Sequence, residues 1–332
     1  MGKEMLFLRK KVLVALICIC AILSYFTFVS AKKAFRSDWQ PPSSSGTEAA
    51  QYRLVLITHE LETPFWDRVA AGALEQARKE GASLEVWGSY GNNQTEFLRL
   101  FEVAIYSKVD GIIVQGLDTE EFENLTKVKA AFYGIPVITV AHDVPMEKSL
   151  RKTYVGSDQY KAGKMIAEQL LSDLGSRAKV ILMSDNYREY YQQQRLSGIQ
   201  DVLADVPDVQ TVYAETPESW ERVVATTQEL MNQVPDANAF IAINANIAEA
   251  MLQEIGRRSR IEPYHIYSFD DSPHSQTLLA SGKLDGMIRQ SPEEMGKVSV
   301  ERMIGWLSGK TVPLDAEGYF TGIEMVKAVE AP

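Results

Sequence analysis

Cysteine is almost missing from this chain of 332 residues: only Cys18 and Cys20 occur, both inside one apolar stretch near the N-terminus. The chain beyond that stretch can therefore form neither a disulfide nor a cysteine metal site. Histidine is also scarce, and His59, His265 and His274 are scattered without metal-ligand spacing. There is no glycine-rich phosphate loop and no Gly-x-Ser-x-Gly elbow, and "GNNQTEF" lacks the spaced glycines of a nucleotide fingerprint. An excess of positive charge is lacking too. With a formal net charge of −10, nucleic acid and anionic membrane surfaces are repelled over most of the molecule. These absences read as a protein that is not an enzyme, needs no cofactor and does not bind nucleic acid.

What is present begins with Val12–Ala31, "VLVALICICAILSYFTFVSA", preceded by Lys3, Arg9, Lys10 and Lys11 and followed by Lys32 and Lys33. Twenty apolar residues suffice to cross a bilayer as a helix, and the larger basic cluster comes first. Residues 1–34 are thus expected to be a cytoplasmic stub and a single-pass transmembrane anchor, with the rest on the extracytoplasmic side. The alternative is a signal peptide cleaved after Val29-Ser30-Ala31. Bulky Ile17 and Ile19 precede the cysteines where bacterial lipoproteins carry a small residue. Residues 35–50, rich in Ser, Pro and Gly, read as a flexible linker.

Beyond the linker, 45% hydrophobic content and about 280 residues favour two lobes. Strand candidates are Arg53–Thr58, Ser83–Gly88, Gly111–Gln115, Val137–Ala141, Lys179–Ser184, Gln210–Ala214, Ala239–Asn244 and His265–Phe269. Amphipathic stretches such as Thr95–Lys108, Gln159–Leu174 and Trp220–Gln233 separate most of them. This alternation predicts an α/β fold with parallel, doubly wound sheets. Ligands of such sheets bind outside the carboxyl ends of the strands.

The strand exits carry aromatic and planar polar residues. Phe65 and Trp66 follow the first strand, behind Pro64, and His142 and Asp143 follow the fourth. Arg195, Trp220, Asn244 and Asp270 follow later strands, and Gln290 ends "DGMIRQ". A pyranose offers C–H faces to aromatic rings and a rim of hydroxyls to Arg, Asp, Asn and Gln, whose donors and acceptors suit that rim. Each residue also has a plain reading: Arg195 as a solvated helix arginine, Trp220 as a helix-start core residue, Gln290 as a strand end, Asp270 as a cap.

The segments "TPFWDRVAAGALEQARKEGASLEV", "GIIVQGLD", "GIPVITV", "YVGSDQYKAGKMIAEQLL", "RLSGI", "YSFDDSP" and "GKLDGMIRQSPEEMGKVSVE" stand in the same order as in a known family. From about Gln51 onward the chain resembles the periplasmic sugar-binding proteins of the ribose-binding type, which share their fold with lactose-repressor-like effector domains. The resemblance implies two doubly wound lobes joined by a three-strand hinge, with residues 51–156 plus 291–321 in one lobe and 157–290 plus 322–332 in the other. It implies that Phe65, Trp66 and Trp220 sandwich a sugar ring while Arg195, Asn244, Asp270 and Gln290 bond its hydroxyls. It also implies a membrane partner: an ABC transporter permease, or a histidine kinase ectodomain that reads the closed form. Three departures separate the chain from a ribose site: Ala141-His142-Asp143 where the family often has Asp directly after the strand, Thr63 in place of Asn, and Ala245 in place of Asp.

Overall fold

The computed structural model describes residues 23–25, 27, 51–91, 93–184, 189–216, 219–258, 264–269 and 273–328. The chain divides into two units, Met1–Ala49 and Ala50–Pro332. In the first, residues 23–25 and 27 are exposed and helical, and the Thr27 hydroxyl donates to the Leu23 carbonyl at 2.8 Å. The remainder of Val12–Ala31 and the linker lie outside the described residues. Among the described residues no helix is long and apolar enough to cross a membrane.

The second unit opens with β1 (Arg53–Thr58), α1 (Pro64–Lys79), β2 (Ser83–Gly88), α2 (Gln94–Tyr106) and β3 (Gly111–Gln115). There follow α3 (Glu120–Glu123), which runs on as a π-helix over Asn124–Ala130, then β4 (Val137–Val140), α4 (Met146–Ser149) and β5 (Thr153–Gly156). Next come α5 (Gln159–Leu174), β6 (Lys179–Ser184), α6 (Tyr190–Ala204), β7 (Gln210–Glu215) and α7 (Trp220–Gln233). After β8 (Ala239–Ala242), α8 (Ala245–Arg258), β9 (His265–Ser268), α9 (Pro273–Ala280) and β10 (Gly286–Arg289), the chain closes with α10 (Pro292–Leu307), β11 (Tyr319–Phe320) and β12 (Glu324–Lys327).

Two six-stranded sheets result, ordered β11-β5-β4-β3-β1-β2 and β12-β10-β9-β8-β6-β7. Both have the same winding, in which the order reverses between the first and third strands of each half. Every pairing is parallel except β10 with β12, which is antiparallel. The uniform parallel reading therefore holds for all but one edge. Strands β5, β11 and β12, each four residues or fewer and at or next to a sheet edge, carry no strong periodic signal. Apolar clusters cover both faces of each sheet, which is why a central strand such as β1 reads Leu-Val-Leu-Ile without alternation.

The Pro-Phe-Trp junction after β1 has a local cause. Thr63 is extended and its hydroxyl accepts the Trp66 N–H, while Pro64 occupies the first helical turn, where a missing N–H costs nothing. Within each lobe two helices cross at reciprocal glycines. A Cβ on Gly72 of α1 would stand 2.0 Å from the Glu293 carbonyl oxygen, and one on Gly296 of α10 2.0 Å from that of Val69. Gly163 of α5 and Gly198 of α6 face Arg195 O and Tyr160 O at 2.1 and 2.0 Å in the same manner.

The chain passes between the sheets three times, after β5, after β10 and after β11. Hydrogen bonds tie the crossings together: Ser157 Oγ to Gln290 Oε1 at 2.8 Å, Thr321 N to Gly156 O at 2.8 Å, and Ser291 Oγ to Gly322 O at 3.0 Å.

Candidate functional site

In the first lobe the polar groups converge where the strand order reverses, the position at which open α/β sheets bind ligands. Gln115 ends β3, a strand buried throughout, so its amide must find partners. Its Oε1 accepts from the Thr58 hydroxyl at 3.0 Å and from the His59 N–H at 2.8 Å. The amide nitrogen then faces His142 Nδ1 at 3.0 Å, which makes Nδ1 the acceptor and assigns the ring proton to Nε2. Burial, with smaller contributions from the charges of Arg195 and His59, lowers the His142 pKa to about 3. His142 is thus a neutral hydrogen-bond donor at ordinary pH. Its turn is tight: Ala141 has φ +62°, and Gly116 N donates to His142 O at 2.9 Å where a side chain at Gly116 would collide.

From the second lobe, Tyr191 at the start of α6 stacks on the His142 ring with centroids 4.0 Å apart and planes 15° apart. One turn later Arg195, 4% exposed, lies with its guanidinium 4.9 Å from the Tyr191 ring centre and 4.5 Å from that of Phe269. Its Nε donates to Gln159 Oε1 at 2.8 Å and its Nη1 to the Ile243 carbonyl at 2.5 Å. Gln159 in turn donates to Ala141 O at 3.4 Å. A continuous chain of contacts, Gln115, His142, Tyr191, Arg195, Gln159, Ala141, therefore joins the two lobes.

The residues singled out in the sequence fall into three groups. Arg195, His142, Phe65 and Trp66 are brought together: Trp66 lies edge-on to both Phe65, at 5.6 Å, and His142, at 6.2 Å. Trp66 is nearly covered, at 2% exposure, whereas Phe65 remains half-buried. Gln290 bonds Ser157 at the crossings, and Asn244 accepts the Ile247 N–H at 3.0 Å at the start of α8. Trp220 opens α7 behind its cap Ser219 with 42% of its surface exposed, and among the described residues no ring contact links it to Phe65 or Trp66. Asp270 lies outside the described residues. Asp143 is committed within its own lobe, accepting from the Thr139 hydroxyl at 2.6 Å and pairing with Arg151 at 2.7 Å. Burial nevertheless raises its pKa above the ordinary carboxylate value.

Gln115, Gln159, Tyr191 and Phe269 were not anticipated. A glutamine at the end of "GIIVQ" was the available signal for Gln115, being the one polar residue of an otherwise apolar strand. Tyr191 and Gln159 acquire meaning only when the lobes meet. Both also line, with Asp143, Ser157 and Tyr190, a pocket of about 420 Å³ shared by the two lobes. No group of three or more His, Cys, Asp or Glu among the described residues could hold a metal ion.

Residues 54–311 match the periplasmic binding protein domain. The chain is 26% identical to the ribose import binding protein of Bacillus subtilis over 277 residues, covering 83% of this chain and 88% of that protein. It is 22% identical to the D-allose-binding periplasmic protein of Escherichia coli over 296 residues, 86% and 93% of the two chains. Among solved structures, a glucose-galactose binding protein from Geobacillus stearothermophilus superposes with a TM-score of 0.78 at 29% identity, covering 85% of this chain and 99% of that one.

Proposed function

The chain belongs to the periplasmic binding protein family, and from that premise we propose that it binds a monosaccharide between its lobes and closes on it without chemical change. The observation that carries this reading is Arg195, buried, held between the rings of Tyr191 and Phe269, and anchored at the point where both lobes meet. A guanidinium so fixed spends little entropy in forking onto vicinal hydroxyls. The His142 Nε2–H adds a neutral donor from the first lobe. The relatives are named for ribose, D-allose and glucose-galactose, all uncharged sugars.

In this proposal Phe65, Trp66 and Trp220 cover the sugar faces, and Arg195, Asn244, Asp270 and Gln290 bond its rim. Asp143 acts through Arg151, holding the His142 turn. The moving bodies are residues 51–156 plus 291–321 and 157–290 plus 322–332, and the bonded crossings are the hinge. A ligand drives closure only by binding the closed state more tightly, so contacts from both lobes are needed.

The globular unit works on the extracytoplasmic side, tethered by Val12–Ala31. Its output is delivery to an ABC importer. The apolar run without a lipidation signal favours a second output, in which a tethered sensor reports to a histidine kinase ectodomain. Calorimetry of the full chain against D-ribose, D-allose, D-galactose, D-glucose and L-arabinose tests the binding proposal. One saturable sugar with unchanged chemistry is expected, and no heat with any sugar would overturn it.

A further inference from the structure

Gln115 connects three strand exits, and chemistry fixes the direction of the bonds it makes to them. The His59 backbone N–H, which can only donate, meets Gln115 Oε1 at 2.8 Å. The Thr58 hydroxyl accepts the Glu60 N–H at 3.1 Å, and its own proton goes to the same Oε1 at 3.0 Å. Two donors on Oε1 leave the amide nitrogen to face His142 Nδ1 at 3.0 Å, and the imidazole proton to Nε2. At 4% exposure Gln115 cannot turn over without stranding both donors. The relay therefore runs one way, from the backbone beyond β1 through Gln115 to His142.

The open end of this relay is His142 Nε2. Tyr191 covers one face of the ring, Trp66 meets it edge-on, and Gly116 N holds the backbone behind it. Among the described residues no protein acceptor meets Nε2, and the atom is not sealed. The titratable and charged groups around the ring are Tyr191 and Arg195 from α6, His59 beyond β1, Tyr154, whose hydroxyl donates to Ala141 O, and Asp143, which Arg151 engages.

We propose that Gln115 is a positioning residue that sets the polarity of His142, so that the first lobe gives a hydrogen bond here and the sugar oxygen opposite must accept it. The inference rests on the sugar binding proposed above. A ring oxygen meets the demand outright, and a hydroxyl meets it with its own proton turned to another acceptor. A protonated amine at this position has donors only and is refused. Gln115 touches no sugar and acts only through the imidazole.

Gln115→Glu keeps the shape and reverses the relay. A carboxylate still accepts from Thr58 and His59 but has no proton for Nδ1, so the imidazole proton moves to Nδ1 and Nε2 becomes an acceptor. One added proton, on either member of the pair, restores the Nε2–H. Gln115→Met removes the bond without adding a carboxylate. The full chain and both variants are titrated calorimetrically with D-ribose, D-allose, D-glucose and D-galactose between about pH 5 and pH 8. Nitrogen NMR of isotope-labelled histidine, assigned with His142→Phe, reports which ring nitrogen holds the proton. In the parent the proton is expected on Nε2 and the affinity flat with pH, since burial keeps the ring neutral. Gln115→Glu should bind at least about tenfold more weakly at the alkaline end and recover toward the acid end, while Gln115→Met should be weakened equally throughout. A Gln115→Glu profile as flat as that of the parent or of Gln115→Met overturns the positioning role. A parent ring protonated at Nδ1 overturns it too, and that spectrum decides alone if a variant fails to fold. No heat from any of the four sugars with the parent overturns the sugar reading, and the positioning role with it.

Discussion

Replacing Arg195 with Met keeps most of the side-chain volume and removes the fork. The loss is readable from the geometry: a bond to Gln159 Oε1 at 2.8 Å, a bond to the Ile243 carbonyl at 2.5 Å, and two ring faces 4.9 and 4.5 Å from the guanidinium. Depriving a buried acceptor of its donor costs about 1–3 kcal/mol, and a desolvated cation–π contact about 0.5–2 kcal/mol. Burying no charge in the variant offsets several kcal/mol of this. The net expectation is a destabilisation of about 2–4 kcal/mol, or roughly 3–7 °C in Tm for a folded unit of about 280 residues. Scanning calorimetry of the sugar-free protein measures it directly. The same variant should lose its sugar-induced rise in Tm, because the hydroxyls that the fork served are left unpaired. Circular dichroism should remain that of the parent. A variant with parental Tm and parental affinity would refute the reasoning and return Arg195 to the status of an ordinary helix arginine.

Three further outcomes are expected. The folded protein holds the His142 pKa near 3 against 6.5 for an ordinary histidine, so the unfolded chain takes up a proton that the fold refuses; this contribution is complete above pH 6.5 and is lost as pH falls toward 3. Tm should decline across that window, and His142→Phe should decline less steeply; identical slopes would remove His142 from the acid limb. Gly163→Ala places a methyl 2.1 Å from the Arg195 carbonyl, so α5 and α6 must part, costing about 1–3 kcal/mol and weakening sugar binding, while Gly256→Ala, with open space around it, should stabilise by up to about 1 kcal/mol. Denaturant titrations that rank the two the other way would contradict the close crossing. Trp220→Ala removes a ring that is 42% exposed; the fold should be untouched and sugar affinity should fall at least about tenfold, near 1.4 kcal/mol. Unchanged affinity by calorimetry would make Trp220 a helix start only.

Much of the fold is written in local chemistry. Apolar runs such as Leu54–Ile57 and Ile112–Val114 become central strands because both sheet faces are covered, and Thr63-Pro64, Asn93, Asp158 and Ser219 start helices because they satisfy orphan N–H groups. These are short-range demands, met or missed within a few residues, so the sequence alone determines them. The short edge strands were hidden for the converse reason. Four residues such as Glu324–Lys327 gain order from the neighbour they pair with, and that neighbour lies 35 residues or more away.

The site divides along the same line. Strand exits and residue types in the sequence pointed to Arg195, His142, Phe65 and Trp66, and the structure gathers them. Only the tertiary structure decided what each of them does. Asp143 is paired with Arg151 because the β4–β5 connection folds back on itself, and Gln115 fixes the His142 proton because β3 and β4 are neighbours in the sheet. Tyr191 meets His142 because two lobes, separated by almost fifty residues of chain, face one another. Burial, protonation and partner choice depend on distances across the fold, and no pattern along the chain encodes those distances.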